Sequence, residues 1–374
     1  MEEKFNKNFK YYSIIIFSLF FILFTTENFN LEQSKTFGAS DGHDYYKIAQ
    51  DAPQISKGLQ FIKSERFFFP YLIGIISKTF NFDIFSSFKT LSILLSFSLI
   101  FLLDRSLVII KCSKNYRLTA ILLVIFNPYI LRYYICLPTL ITDLIFLNIS
   151  LLIVIGLHSS KRYYFIGMAI GMLVRQNTLA FLISTYFLYT LGYFYGQFKK
   201  IFLINDLYIV TAIVLFIYLF NFLYASKSET SVSASDLYFV TIFGLFATQY
   251  NLNSLPAFFI FPLLSFGPIL YFFFINRKNI INFLNPISVF ILLSASILIL
   301  QPLLGGPLIT GKNFIRLANY AYPILLVVLP LLLNNNFIFI SKTKKYFYFI
   351  FLIFWSMHPT FSTIKIFDFL KFSI

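Results

Sequence analysis

Long apolar runs recur along the whole chain, separated by short polar segments. After a first run at Tyr11–Thr25, further runs lie at roughly 87–110, 117–134, 138–157, 163–176, 178–197, 207–225, 256–275, 286–304, 319–335 and 345–357. Such runs approach the ~20 residues that a helix needs to cross a bilayer, where lipid offers backbone polar groups no partner. The sequence therefore predicts an all-α, polytopic transmembrane protein with about 11 spans, built as one membrane-embedded domain over 1–374.

The composition agrees with this prediction. The chain is 58% hydrophobic and 12% charged, whereas soluble domains contain about 25% charged residues. The net charge of +15 does not indicate nucleic-acid binding, because Lys and Arg lie scattered between apolar runs, as in polytopic proteins. Cys112 and Cys136 fall on opposite predicted faces, and no Cys/His spacing is typical of a metal site. We expect no disulfide, no bound metal and no other cofactor, and leave the participation of a divalent ion open.

The basic residues also predict an orientation. Lys4, Lys7 and Lys10 precede the first run and place the N-terminus in the cytoplasm. The segment 26–86 then becomes a long first extracytoplasmic loop, in which the short apolar stretch Phe67–Phe80 is predicted to form an interfacial helix. The compact basic clusters all fall in predicted cytoplasmic loops, at 111–117, 161–162, 199–200, 277–278 and 342–345. We expect a multi-pass protein of a bacterial inner membrane.

Several charged residues lie at the predicted outer ends of spans. A charge at the centre of a bilayer costs about 2.5–3.5 kcal/mol on insertion scales, and such residues usually face a cavity. We therefore predict a shared wet cleft beside the first loop, lined by Arg132, Asp143, Arg175, Lys312 and Arg316.

Asp41 lies in the first loop, at the start of a short predicted helix that ends before Pro53. Its carboxylate either caps that helix or acts as a general base toward an acceptor hydroxyl, and the two roles are compatible. Asp44 lies three residues further and shares a helix face with Asp41. It is interpreted either as a second catalytic acid or as a solvated side chain.

Two of the span-end residues have structural alternatives. Asp143 is either the N-cap of its helix, in competition with Thr142, or a polar group of the cleft. Arg132 follows the turn Asn127-Pro128-Tyr129. It either extends toward the membrane interface or faces the cleft.

Arg175 is the strongest ligand candidate, because it stands between two apolar runs in Gly171–Asn177. A guanidinium group is planar, always charged and able to bind phosphate through two donors. Lys312 and Arg316 follow Gly305 in a segment rich in glycine. This segment is interpreted either as a flexible loop that closes over an anionic ligand or as a plain connector.

The polar residues resemble those of the glycosyltransferase C superfamily, polytopic enzymes that use polyprenyl-phosphate-linked sugars. The first outer loop of that family often reads Asp-(Ala/Gly)-x-x-Tyr-x-x-(Ile/Met)-Ala, and residues 41–49 fit this pattern at each position, with Tyr45 as the aromatic residue. Family members then show an Arg, a few apolar residues and a Pro, which Arg66 and Pro70 match. A late outer loop with an Arg before a span is matched by Lys312–Arg316.

The resemblance implies a role for each candidate. Asp41 would be the general base of an inverting transfer, and Arg175, with Arg316 or Arg132, would hold the phosphate of a polyprenyl-phosphate sugar donor. The acceptor would be a lipid-linked glycan, a lipid or a protein, as in envelope glycan biosynthesis. The other catalytic candidate is Asp44, and the remaining candidates for substrate binding are Tyr45, Arg66, Asp143, Gln176 and Lys312.

One departure from the family and two rival functions stay open. Many members carry a paired acidic motif in a later outer loop, where this chain has only Asp143, so the second acidic role is unassigned. A multi-span transporter or lipid-linked-sugar flippase would also contain many spans and a polar cleft, although transport sites lie near the membrane midplane. A polysaccharide polymerase is a closer alternative, because it also uses lipid-linked sugars.

Overall fold

The computed structural model describes residues 2–26, 40–194, 201–228, 255–276, 285–310, 314–332 and 350–356. These residues form α-helices with short connections and contain no β-strand, so the all-α prediction is confirmed. Lys312 lies outside the described residues. The helices are, in chain order, α1 Glu2–Thr25, α2 Ser40–Asp51, α3 Phe61–Ser64, α4 Phe68–Thr79, α5 Ile84–Ile109, α6 Lys114–Ile125, α7 Leu131–Cys136, α8 Ile141–His158, α9 Lys161–Val174, α10 Leu179–Phe194, α11 Ile204–Lys227, α12 Leu255–Asn276, α13 Pro286–Thr310, α14 Phe314–Ala318 and α15 Tyr322–Leu332.

Three of the described helices, α5, α8 and α11, are long and apolar enough to cross a membrane. Shorter apolar helices cover Phe9–Thr25, Ser265–Phe274, Pro286–Gln301 and Arg316–Leu332. The chain is thus helical with membrane-type segments, as expected of an integral membrane protein. The described residues do not reach the expected total of about 11 helices of spanning length.

Helix α8 lies at the centre of the bundle. Its apolar window is 83% buried, compared with 39% for α5 and 33% for α11. It packs against α4, α5, α9 and α15, while α5 and α11 carry exposed aromatic residues such as Phe101 and Phe216. An apolar surface of this kind suits contact with lipid. Helix α8, by contrast, is buried, and it carries Asp143.

The turn predicted at Asn127-Pro128-Tyr129 is present, and it divides the range 117–134 that was predicted as one span. Helix α6 ends at Ile125 and α7 begins only at Leu131. Between them, the Asn127 side chain accepts a hydrogen bond from the Tyr129 backbone N–H at 2.9 Å, which stabilises a turn. Pro128 has no N–H to continue a helical ladder, so the chain changes direction here.

The loop expected from Gly305 to Arg316 is also wrong over its first half. Helix α13 continues through this glycine-rich stretch to Thr310, and α14 begins at Phe314. Apolar residues flank the glycines, and membrane-type helices tolerate Gly and Pro in their interiors. Arg316 therefore lies on a short helix.

Helix α2, which carries Asp41, packs closely against α4. A Cβ atom on Gly74 would lie 2.1 Å from the Ala49 carbonyl oxygen, so only glycine allows this approach. Lys78 donates hydrogen bonds to the carbonyls of Gln50, at 2.6 Å, and Ala52. The predicted helix at Phe67–Phe80 is thus present as α4, and it fixes the position of α2.

Candidate functional site

Four charged side chains from distant parts of the sequence form what we call the central cluster: Asp41, Asp143, Arg175 and Arg316. Arg316 donates a hydrogen bond to Asp41 through Nη2, and its Nε lies 3.0 Å from Asp143 Oδ2. Arg175 Nη2 lies 2.5 Å from Asp143 Oδ1. The charges therefore alternate in an unbroken row, from Asp41 through Arg316 and Asp143 to Arg175.

The central cluster is buried. The side chains of Asp143 and Arg175 are 0% exposed, that of Arg316 is 4% exposed, and that of Asp41 is 13% exposed. Taking an ion out of water costs several kcal/mol unless a partner compensates it. The alternation of charge supplies that compensation, and Asp41 is the member with the most access to solvent.

The guanidinium groups nevertheless retain unused donors. Arg175 Nε and Nη1 and Arg316 Nη1 are buried without a hydrogen-bond partner among the described residues, and the contacts of both groups with Asp143 lack hydrogen-bond geometry. A buried donor left unsatisfied costs about 1–3 kcal/mol, and native structures rarely keep one without a reason. These N–H groups are suited to an anionic ligand with several oxygen atoms.

Two interruptions of helices position the arginines. Helix α9 ends at Val174, Arg175 is extended, and a 3₁₀ turn follows at Gln176–Thr178. A second 3₁₀ turn at Asn319–Ala321 separates α14 from α15. It brings Tyr320 under Arg175, whose guanidinium carbon lies 5.0 Å from the ring centroid, in reach of a cation–π interaction.

Tyrosines complete the wall around the cluster. Tyr133 forms a hydrogen bond with Arg316, and the buried hydroxyl groups of Tyr134 and Tyr320 have no hydrogen-bond partner among the described residues. The site therefore combines charged donors with neutral hydroxyl groups in an otherwise apolar surrounding.

Lys63, which sequence reasoning missed, connects two carboxylates of α2, Asp41 and Asp44. Its Nζ lies 2.7 Å from Asp44 Oδ2 and 3.7 Å from Asp41 Oδ1. Asp41 and Asp44 thus share one side of the helix, as their spacing predicted. The available signal was the charged run Lys63-Ser64-Glu65-Arg66 shortly before the Pro70 helix.

A second polar chain joins the first loop to the break after α9. Arg66 donates to the Tyr45 hydroxyl at 3.3 Å and, through Nε, to Gln176 Oε1 at 3.5 Å. Gln176 Nε2 in turn donates to Glu65 Oε2 at 2.5 Å. Three predicted site residues, Tyr45, Arg66 and Gln176, therefore meet here, and Glu65 is a further member that the sequence did not single out.

Asp41 and Glu65, both in the first loop, have opposite electrostatic environments. Burial by itself would raise the pKa of Asp41, but Arg316, Arg66 and Lys63 together hold that pKa well below its usual range. Burial raises the pKa of Glu65 to about 7, against the opposing effects of Arg66 and Gln176. Asp41 is therefore a firmly held carboxylate, whereas Glu65 titrates near neutral pH.

Arg132 does not join the central cluster. It is buried, and it donates hydrogen bonds to the Thr25 carbonyl, at 2.8 Å, and to the hydroxyl groups of Thr25 and Thr26. A guanidinium group at the C-terminus of α1 neutralises the last carbonyls of that helix. Both sequence interpretations, extension toward the interface and a place in the cleft, are therefore wrong.

Asp143 belongs to the cluster and does not cap its helix. The N-cap position of α8 is Leu140, and no side chain caps it. Asp143 lies in the first turn, where a negative charge favours the helix dipole. The alternative of a capping Asp143 is thus wrong, and its carboxylate instead joins Arg175 to Arg316.

The described residues contain no group of three or more His, Cys, Asp and Glu side chains that could hold a metal ion. Comparisons of the chain with protein-family models, curated proteins and solved structures give no match. The geometry of the site is therefore the basis for assigning a function.

Proposed function

We propose that this protein is an integral membrane glycosyltransferase that moves a sugar from a polyprenyl-phosphate donor to an acceptor hydroxyl group. The observation that carries the proposal is the contact of the partly exposed Asp41 carboxylate with Arg316, which is joined through Asp143 to Arg175, where both buried arginines retain free donors. A base and a phosphate-binding group side by side are what this transfer needs.

Arg175 and Arg316 supply the phosphate-binding side. Their unused N–H groups would hold the phosphate oxygens of the donor and stabilise the negative charge that develops as the phosphate leaves. Fixed donors of this kind are worth about 3–4 kcal/mol each in a site with little water. The charges of the central cluster cancel, and Lys63, Arg66, Asp44 and Glu65 add a net charge of +1 when Glu65 is protonated, which favours an anionic ligand.

Asp41 supplies the base. It takes the proton of the acceptor hydroxyl, and that oxygen forms a bond to the anomeric carbon while the bond to the phosphate oxygen breaks. The electron pair of the broken bond leaves with the polyprenyl monophosphate. A direct displacement of this kind inverts the anomeric centre, by analogy with inverting glycosidases.

The membrane-type helices suit a lipid-linked donor. A polyprenyl tail can remain in the bilayer while its phosphate enters the buried cluster. With the N-terminus in the cytoplasm, as the distribution of Lys and Arg predicts, the first loop and Asp41 face the extracytoplasmic side. The acceptor is then a lipid-linked glycan, a lipid or a protein at that surface.

Transfer by the purified protein tests the proposal. The chain in lipid nanodiscs is incubated with a polyprenyl-phosphate sugar and candidate acceptors, and Asp41→Asn is expected to lower the rate at least ~100-fold, the usual contribution of a general base. Asp104→Asn is the matched control, because the described contacts of Asp104 are with Arg117 and Tyr11. Equal activity of Asp41→Asn and wild type would contradict the proposal.

A lipid-linked-sugar flippase is the second candidate, and one observation favours it. The chain is interrupted at Asn127–Pro128, at Arg175 and at Asn319, and transporters often build their binding sites from broken helices. Movement of a labelled polyprenyl-phosphate sugar across vesicles without transfer would support this candidate. Repeated addition to a growing glycan would indicate a polymerase.

A further inference from the structure

Each carboxylate oxygen of Asp41 has a cationic side chain beside it. Arg316 donates to its Oδ2, and Lys63 lies 3.7 Å from its Oδ1. Both partners stabilise the charged form of the carboxylate. Asp41 in this arrangement is poorly suited to accept a proton.

Arg316 contacts both Asp41 and Asp143, and each of these carboxylates would keep a different partner if Arg316 moved away. Asp143 would keep Arg175, 2.5 Å away. Asp41 would keep Lys63 and its 13% exposed surface. Arg316 can therefore leave Asp41 without isolating a buried charge.

A phosphate group would compete for Arg316. The free donors of Arg175 and the unused Nη1 of Arg316 belong to guanidinium groups that both contact Asp143. Phosphate oxygens bind guanidinium groups through two parallel hydrogen bonds, which is stronger than a single shared contact.

We propose that Arg316 is an anion-operated switch on Asp41, an inference that rests on the proposed function. In the empty protein Arg316 neutralises Asp41, and a lipid phosphate bound beside Arg175 draws Arg316 away. The donor then binds before the acceptor is activated, and Asp41 takes a proton only when the leaving group is in place.

Chemical labelling of Asp41 tests the switch without an acceptor. A carbodiimide reacts with the protonated carboxyl, a glycine ester captures the product, and peptide mass spectrometry at one fixed pH measures the rate. The charged and titratable groups around Asp41 are Asp44, Lys63, Arg66, Tyr133 and Arg316. The labelling is compared in the empty protein, with polyprenyl monophosphate, with the phosphate-free polyprenol, and with inorganic phosphate.

Polyprenyl monophosphate is expected to speed the labelling of Asp41 about tenfold, because loss of one strong cationic partner raises the pKa of this carboxyl group and so increases its protonated fraction. The polyprenol should have no effect, and Asp104, with its own arginine, should be unchanged. An equal response to inorganic phosphate would identify the phosphate alone as the signal, and a response to the lipid form alone would show that the tail is needed.

Binding is measured separately by retention of radiolabelled polyprenyl monophosphate on the protein. If the lipid is retained and Asp41 labelling does not increase, the switch is overturned and the proposed function stands. If the lipid is not retained, both are overturned.

Arg316→Gln gives a second readout. In this variant Asp41 should be labelled rapidly even without phosphate, and addition of the lipid should change the labelling rate little. Labelling as slow as in wild type would show that Arg316 does not restrain Asp41. Should this variant not fold, as judged by size-exclusion chromatography, the wild-type comparison alone decides.

Discussion

In the part of the chain that the structure describes, aspartate pairs with arginine in a peripheral pair and in the central cluster. In the peripheral pair, Arg117 donates to Asp104 through Nε at 2.8 Å and Nη2 at 2.6 Å, and Tyr11 donates to the same carboxylate at 2.6 Å. These side chains are 14% and 19% exposed for Arg117 and Asp104. The central cluster is deeper, yet its arginines leave donors unused.

We interpret this difference as one between a pair that serves the fold and a cluster that, under the proposed function, serves a ligand. The peripheral pair satisfies both carboxylate oxygens and joins α1, α5 and α6, so it needs no ligand. The central cluster meets the high cost of burial only in part. A protein gains nothing in stability from buried, unpaired guanidinium N–H groups, so their presence points to a bound anion.

The largest loss of activity is expected when an arginine of the central cluster is replaced, while replacement of the peripheral arginine should have little effect on activity. Arg175→Ala should lower kcat/KM for the polyprenyl-phosphate donor about 100- to 1000-fold, because fixed donors contribute about 3–4 kcal/mol. Arg117→Ala, its control in the peripheral pair, should cost only about 1 kcal/mol of stability and little activity. Steady-state kinetics with both substrates varied measure this. An unchanged kcat/KM for the donor would contradict a phosphate role for Arg175, and a larger rise of KM for the donor than for the acceptor would show that Arg175 also binds the donor in the ground state.

The position of Asp41 in the central cluster depends on the close packing of α2 against α4. Gly74→Ala should destabilise the protein by about 1–3 kcal/mol and reduce transfer, because the new methyl group collides with the Ala49 carbonyl. Gly267→Ala is the control, since a Cβ there meets no atom of the described residues within 4 Å. It should be neutral or slightly stabilising in its helix. Thermal unfolding and transfer rates distinguish them, and equal behaviour would contradict the close approach of α2 and α4.

A smaller effect is expected at Asp44. Asp44→Asn weakens the 2.7 Å contact with Lys63 but leaves Asp41 with Arg316, so transfer should fall about tenfold, well short of the effect of Asp41→Asn. Transfer rates of the two variants under identical conditions decide the order. The reverse order would assign the role of base to Asp44.

The last prediction concerns how the stability of the protein depends on pH through Glu65. Glu65 has an ordinary pKa of 4.5 that burial raises to about 7, so between these values the folded protein binds more protons than the unfolded chain. Stability should therefore fall as pH rises from about 4.5 to 7, by on the order of 3 kcal/mol, and level off at higher pH. Glu65→Gln should flatten this slope. Melting temperatures at pH 5 and pH 8 measure it, and an unchanged slope would show that Glu65 is not the group responsible.

Sequence reasoning worked best where the signal was local. The apolar runs predicted helices, the residues before Pro53 predicted α2, and the i, i+3 spacing predicted that Asp41 and Asp44 share a side. It predicted the turn at Asn127–Pro128 but extended the span at 117–134 past it, whereas α6 ends at Ile125. It was wrong where a helix continued through glycines beyond Gly305.

The site was predicted in part. The residue types and their proximity to one another were anticipated for Asp41, Arg175 and Arg316, whereas Arg132 contacts the end of α1 instead. Lys63 and Glu65 were missed, because the local sequence around a charged residue in a polar loop does not specify which side chain it will contact in the fold.

By itself the sequence determined that this chain is helical, membrane-type and supplied with a few charges that lipid does not tolerate. Run length and hydrophobicity are properties of neighbouring residues, so they can be read along the chain. Only the tertiary structure decided which charges meet, that Arg316 joins Asp41 to Asp143, and that the arginines keep free donors. Those facts depend on how helices distant in sequence pack around α8, which no local pattern specifies.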